Sequence, residues 1–283
     1  MTAPDPLSRH GASGRRPGDG PGGERGGAPD GGPGGEPGGE PILIGASDAL
    51  LVVDVQQDFC PGGALPVPGG DGVIPVINSL LLVFGRWIYT RDWHPAEHVS
   101  FSSQPEFRDG SWPPHAVQGT PGADWCPGLD MPANAILISK GDDPKRETYS
   151  GFQVDRLDLA DFLRYRRVER VFVTGLATDY CVRQTALDAL AAGFTVYLVE
   201  DAVRGVAPES TARTLAELGA AGVRRVMSAQ LQDSGERPPA PYDQHGRPVG
   251  NGHAAVGRPA VRDDRAADGG HAAVGDHLSE GDD

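Results

Sequence analysis

Cys181 stands in the run Val171-Phe172-Val173-Thr174-Gly175-Leu176-Ala177-Thr178-Asp179-Tyr180-Cys181-Val182, where a β-branched apolar stretch ends at a glycine and a tight polar loop follows. The spacing of Val182, Ala186, Ala189 and Leu190 predicts an amphipathic helix over 178–192, stopped by Gly193. A thiol in the first turn of that helix would feel the positive end of the macrodipole, which favours the nucleophilic thiolate. Free backbone N–H groups of the same turn can hold an oxyanion. A lone cysteine also suits a small core position, so its chemistry depends on what the rest of the chain brings to it.

Asp54 ends one apolar run and Lys140 another. A carboxylate at a dry strand end can take a proton from a thiol and return it to a leaving group, with a lysine holding its charge. No histidine neighbours Cys181 in sequence, so a Cys–His protease arrangement is not suggested. A second set begins at Asp92-Trp93-His94, where a hard oxygen and an imidazole two residues apart share one side of an extended backbone. His115, in Ser111-Trp112-Pro113-Pro114-His115, would complete a facial metal-ligand set, with His98 as a further ligand or a neighbour of the set. Zinc, iron and manganese suit these ligands about equally. Phe59, Trp112 and Tyr149 lie near the two sets in sequence and suit a flat ring held by stacking.

The elements that must position these groups alternate between the two periodicities. Strands are predicted over 49–55, 87–90, 135–139, 171–174, 195–200 and 224–227, and helices over 73–84, 157–165, 178–192 and 208–218. Asp71 is expected to cap the first helix, which tolerates Pro75 only in its first turn. A long polar, Pro-rich loop runs from 91 to about 133. The alternation implies an α/β fold, a three-layer α/β/α arrangement with a mainly parallel sheet. Ligands of such sheets bind beyond the carboxyl ends of the strands, which gathers Asp54, Asp92, Lys140 and Cys181.

Composition sets the boundaries. The first forty residues hold 14 Gly and 7 Pro and almost no large apolar side chain, and the last fifty or so read similarly. Segments 1–45 and 231–283 are therefore expected to be disordered tails flanking one domain over 46–230. A short echo, Gly252-His253-Ala254-Ala255-Val256-Gly257 and Gly270-His271-Ala272-Ala273-Val274-Gly275, is too little for a solenoid. The scattered His245, His253, His271 and His277 are not expected to form a metal site. The net charge of −14 is shared, with −2 on the first forty residues and −5 on 231–283, and no basic stripe. Nucleic acid and anionic membrane are excluded as partners on that ground. No apolar run reaches the length of a membrane span, and the N-terminus lacks a signal-peptide core. Three widely spaced cysteines do not make a disulfide framework, so a cytoplasmic location is the expectation. The sequence gives no oligomeric state, and a homo-oligomer is compatible with it.

The series Asp54-Val55-Gln56-Gln57-Asp58-Phe59-Cys60-Pro61-Gly62-Gly63, Arg91-Asp92-Trp93-His94-Pro95, Trp112-Pro113-Pro114-His115, Ser139-Lys140-Gly141, Tyr149-Ser150-Gly151-Phe152 and Gly175-Leu176-Ala177-Thr178-Asp179-Tyr180-Cys181 resembles the nicotinamidase branch of the isochorismatase-like cysteine hydrolase superfamily. The resemblance covers roughly 46–229, in family order. It implies an amidohydrolase that turns nicotinamide into nicotinate and ammonia through a Cys181 acyl-thioester, feeding NAD salvage. It further implies Asp54 as proton acceptor, Lys140 as charge holder, and the N–H groups of Ala177 and Cys181 as oxyanion hole, after a cis peptide at Leu176–Ala177. One divalent ion on Asp92, His94 and His115 would bind the pyridine nitrogen, and Phe59, Trp112, Tyr149, Leu176 and Tyr180 would line the ring pocket. A metal-free relative acting on another amide or carbamoyl substrate would not need the Asp92, His94 and His115 set, and a binding module on this fold would not need Asp54, Lys140 and Cys181 together. The junction Phe84-Gly85-Arg86-Trp87 is shorter than usual in the family, and both tails are longer.

Overall fold

The computed structural model of the chain describes residues 40–107 and 110–239. The echo and the four scattered histidines of the C-terminal segment lie outside the described residues. Eight strands appear among these residues: β1 (Ile42–Ile44), β2 (Asp48–Val53), β3 (Trp87–Asp92), β4 (Ile136–Lys140), β5 (Arg170–Leu176), β6 (Thr195–Arg204), β7 (Arg224–Val226) and β8 (Leu231–Asp233). The helices are α1 (Ile74–Leu80), α2 (Leu159–Tyr165), α3 (Arg183–Ala191) and α4 (Pro208–Ala221). Six strands form one wholly parallel sheet in the order β4-β3-β2-β5-β6-β7.

The sequence explains the layers. All six side chains of β2 are buried, because parallel strands are covered on both faces. Leu50 and Val52 join a core with Ile74, Ile77 and Leu80 of α1, while Ala49, Leu51 and Val53 face a second core containing Leu159 and Leu163 of α2, Ala186 and Ala189 of α3 and Leu218 of α4. The chain winds outward from β2 through β3 to β4, then returns to β5 on the other side of β2. The reversal opens a crevice between β2 and β5 at their carboxyl ends, the place where open parallel sheets hold ligands. At Gly175, φ is 103° and an added Cβ would lie 2.1 Å from Val53 O, so only glycine lets β5 come this close to β2 here.

Several expectations need correction. Helix 73–84 is α-helical only over α1, after a 3₁₀ turn at Gly70–Val73 that contains Asp71, so Asp71 does not cap α1. Helix 178–192 opens with one π turn, Thr178–Val182, in which the Val182 N–H donates five residues back to Ala177 O (3.1 Å). The strand predicted over 195–200 runs on to Arg204, and the polar Glu200 and Asp201 bond Arg225 within β7 and Ser228 just after it. The tail boundaries at 45 and 231 cut through structure: β1 and β8 pair in parallel, Ile42 with Leu231 and Ile44 with Asp233, and Ile44 is buried. The short junction at 84–87 is knitted by buried Arg86, whose guanidinium donates to Ala46 O and Arg166 O, both at 3.0 Å.

Cysteine usage is the other correction. Cys60 and Cys126, 66 residues apart with Cα atoms 6.5 Å apart, are joined as a disulfide. Spacing along the chain carries no signal of such a pairing, which depends on two loops meeting in space. Because disulfides persist in oxidising surroundings, cysteine count no longer supports the cytoplasmic expectation. No described helix is long and apolar enough to cross a membrane.

Candidate active site

Four neighbouring strands each deliver one functional group to the crevice: Lys140 ends β4, Asp92 ends β3, Asp54 follows β2, and Cys181 follows β5 on the π turn. Asp54 (1 % exposed) stands at φ 49°, a left-handed conformation uncommon outside glycine. Its carboxylate accepts the Thr90 hydroxyl at 2.7 Å and lies 2.8 Å from Lys140 Nζ. Lys140 is fully buried, also reaches Asp92 Oδ1 at 2.5 Å, and donates to Cys181 Sγ at 3.3 Å. Burial alone would lower the Lys140 pKa, but the carboxylates of Asp54 and Asp92 outweigh it and hold the ammonium charged.

The thiol itself departs from expectation. Burial, with the charges of Asp54 and Asp92, pushes the Cys181 pKa well above its ordinary value despite Lys140. The helix-terminus effect therefore does not hold a resting thiolate, and Cys181 depends on a base. Burial also raises Asp54 above the usual carboxylate range, against the pull of Lys140. The raised Asp54 is a stronger proton acceptor than an exposed carboxylate, and the raised thiol is a weaker donor. Leu176–Ala177 is cis, and the Ala177 N–H donates to no backbone carbonyl among the described residues.

Beside this triad, one ligand atom each of Asp92, His94 and His115 lies within 4.8 Å of the others, all three residues buried. His94 Nδ1 is 2.9 Å from Gly141 O and His115 Nδ1 is 2.8 Å from Pro113 O. A carbonyl only accepts, so in the neutral rings Nδ1 carries the proton and Nε2 a lone pair. His94 Nε2 is buried, has no hydrogen-bond partner among the described residues, and faces Asp92 Oδ2 at 3.7 Å. Two electron-rich groups face one another across a gap that a cation would close, so the residues present fit a divalent ion. His98 is not part of that set: its Nδ1 meets Ser100 Oγ (2.8 Å), its Nε2 meets Arg146 O (3.2 Å), and its ring packs on His94 with centroids 4.3 Å apart.

Phe59, Trp112, Tyr149, Leu176 and Tyr180 all line the cavity above Cys181. Trp112 meets Tyr180 edge-on with centroids 5.0 Å apart, and its indole N–H donates to Tyr149 Oη at 3.3 Å. Sequence reasoning missed Leu65, Val67, Glu147 and Val206, which also line it. It missed Gln56 as well, whose buried side-chain amide accepts from Asp92 N–H (2.7 Å) and donates to Asp92 O (2.8 Å). A glutamine two residues after Asp54 gives no local sign that it holds a strand end 36 residues away.

A parallel α/β sheet whose crevice combines a buried thiol, a carboxylate and a lysine defines an isochorismatase-type hydrolase. The chain belongs to the isochorismatase family: the Isochorismatase domain matches residues 48–230. It is similar to the nicotinamidase of Escherichia coli (strain K12), 41 % identical over 211 residues covering 66 % of this chain and 97 % of that protein. It is also similar to the structure of pyrazinamidase of Pyrococcus horikoshii in complex with zinc, 49 % identical with a TM-score of 0.59, covering 64 % of this chain and 99 % of that one. The structure of PnC1 from L. infantum in complex with nicotinate matches at 38 % identity and a TM-score of 0.63, over 68 % and 99 % of the two chains. The chain is a hydrolase acting on amides.

Proposed function

We propose that this chain is a metal-dependent cysteine amidohydrolase that converts nicotinamide to nicotinate and ammonia. The observation that carries the reading is the meeting of the Asp54, Lys140 and Cys181 cluster with the lone-pair set of Asp92, His94 and His115 in one aromatic-walled cavity. Asp54 accepts the Cys181 proton, and the sulfur attacks the carboxamide carbon. The N–H groups of Ala177 and Cys181 receive the charge that develops on the carbonyl oxygen. Asp54 returns the proton to the departing nitrogen, and ammonia leaves an acyl-thioester on Cys181. A water, deprotonated by Asp54, attacks that carbonyl, and nicotinate and the free thiol result. Lys140 holds Asp54 and Asp92 in register and favours the ionised Asp54 from which each proton transfer starts. A divalent ion on Asp92, His94 and His115 supplies a Lewis acid for the pyridine nitrogen, which selects nicotinamide over rings lacking that nitrogen. The zinc complex of the Pyrococcus horikoshii pyrazinamidase supports zinc before iron or manganese. Supply of nicotinate to NAD salvage, and with it a cytoplasmic location, belongs to the same proposal.

Ammonia release from nicotinamide, measured with and without chelator beside Cys181→Ala, tests it. Turnover is expected to fall at least about 10⁴-fold in the variant, which keeps its metal, and to be lost on chelation. Full activity on nicotinamide after complete metal removal would remove the metal requirement, no turnover by the metal-replete wild type would favour another amide or carbamoyl substrate, and turnover by Cys181→Ala would remove the thioester.

A further inference from the structure

The segment that carries Asp54 reaches back, a few residues later, to the loop that carries His115. Asp58 Oδ2 accepts the backbone N–H of Ala116 at 2.8 Å, and its Oδ1 accepts that of Ala64 at 3.0 Å. The Ala116 N–H belongs to the peptide unit attached to the His115 Cα, so the carboxylate fixes the plane from which that imidazole hangs. The carbonyl of Ala116 in turn accepts the His94 N–H at 3.1 Å, and Gln118 N–H donates to His94 O at 2.8 Å. Ala116 is thus a joint between the two histidines, bonded at its N–H to Asp58 and at its C=O to His94. It is fully buried and stands at φ 46°, a conformation that an alanine keeps only when its surroundings impose it. The imidazoles of His94 and His115, with ring centroids 5.0 Å apart, are spaced by this joint.

Gly122 closes the other side of the carboxylate. A Cβ there would lie 2.1 Å from Asp58 Oδ2, so the 3₁₀ turn Pro121–Ala123 is glycine where it seats Asp58. We propose that Asp58, seated by Gly122, is a positioning residue for the metal site: through Ala116 it sets the separation of His94 and His115 and so the affinity for the ion. This rests on the metal reading above. It concerns a carboxylate that touches neither substrate nor ion.

The test is zinc affinity of the full chain, measured by competition with a chromophoric chelator, for wild type, Asp58→Ala, Asp58→Asn, Gly122→Ala and His94→Ala, with circular dichroism to check each fold. Asp58→Ala leaves the Ala116 N–H without its acceptor, and a weakening of about 10- to 100-fold is expected, the usual cost of losing a group that orients a ligand. Gly122→Ala displaces the carboxylate without altering it and is expected to weaken zinc similarly. Asp58→Asn keeps one acceptor oxygen for Ala116 and is expected to restore most of the affinity. At saturating zinc, kcat of the Asp58→Ala protein is expected to recover towards wild type, since no reacting group has been removed. Folded Asp58→Ala and Gly122→Ala proteins that bind zinc as wild type does would overturn the inference while leaving the metal reading intact. Wild type that binds no more zinc than His94→Ala would overturn the metal reading, and this inference with it.

Discussion

Proton affinity at Asp54 decides when the thiol can react. The group must be ionised to accept the Cys181 proton, and burial raises its pKa, so competent enzyme is lost as pH falls through that raised value. The acid limb of kcat/KM is expected above the ordinary carboxylate value of about 4. The Thr90 hydroxyl, 2.7 Å from Asp54 Oδ1, favours the ionised form. Thr90→Val should therefore move the acid limb to higher pH, and a pH–rate profile that stays in place would remove Asp54 as the base. At this scale the sequence was a good guide to which groups gather and a poor one to their state. Asp54, Lys140, Cys181 and Asp92 are legible from residue type and strand-end position, His94 and His115 from ligand type and spacing, and the structure brings all six close together. The protonation of Cys181 was not legible, because it depends on burial among groups from three other strands.

The elements put those groups within reach by register. β2, β3, β4 and β5 are neighbours, and each contributes its last residue or the loop after it, so a span of four strands holds the whole chemistry. Gly175 is where that register is least forgiving. Gly175→Ala would force a Cβ against Val53 O and Val53 N in a conformation suited to glycine, and a loss of at least about 2 kcal/mol is expected from urea unfolding. Stability equal to wild type would mean that β5 can withdraw from β2 at no cost. The strands were readable because parallel strands buried on both faces appear as unbroken apolar runs, as at Ala49-Leu50-Leu51-Val52-Val53. The loop from 91 to 133 was not, since its shape comes from bonds to distant partners such as Gln56 and Asp58 rather than from any periodicity of its own.

Two ties act on the molecule as a whole. The Cys60–Cys126 disulfide closes a loop of 66 residues, and loop-closure entropy gives it a stabilisation of about 4 kcal/mol. Reductant should lower the urea midpoint correspondingly, and an unchanged midpoint would show that the pair is not oxidised in solution. The second tie is the pairing of β1 with β8. Chains starting at residue 40 and at residue 46 differ by the burial of Ile44 and the β1 hydrogen bonds. The shorter one is expected to melt roughly 5 °C lower, from about 2 kcal/mol of apolar burial. Equal melting temperatures would restore the boundary read from composition.

That pairing also makes the folded polypeptide nearly a closed ring. The first and last strands of the described region lie side by side, Ile42 against Leu231, so the order in which the chain is written is close to arbitrary. Joining the two ends by a short linker and opening the ring at the exposed Ala133-Asn134 step before β4 would deliver Lys140 first and Asp92 last, with every strand keeping its neighbours and the crevice its four groups.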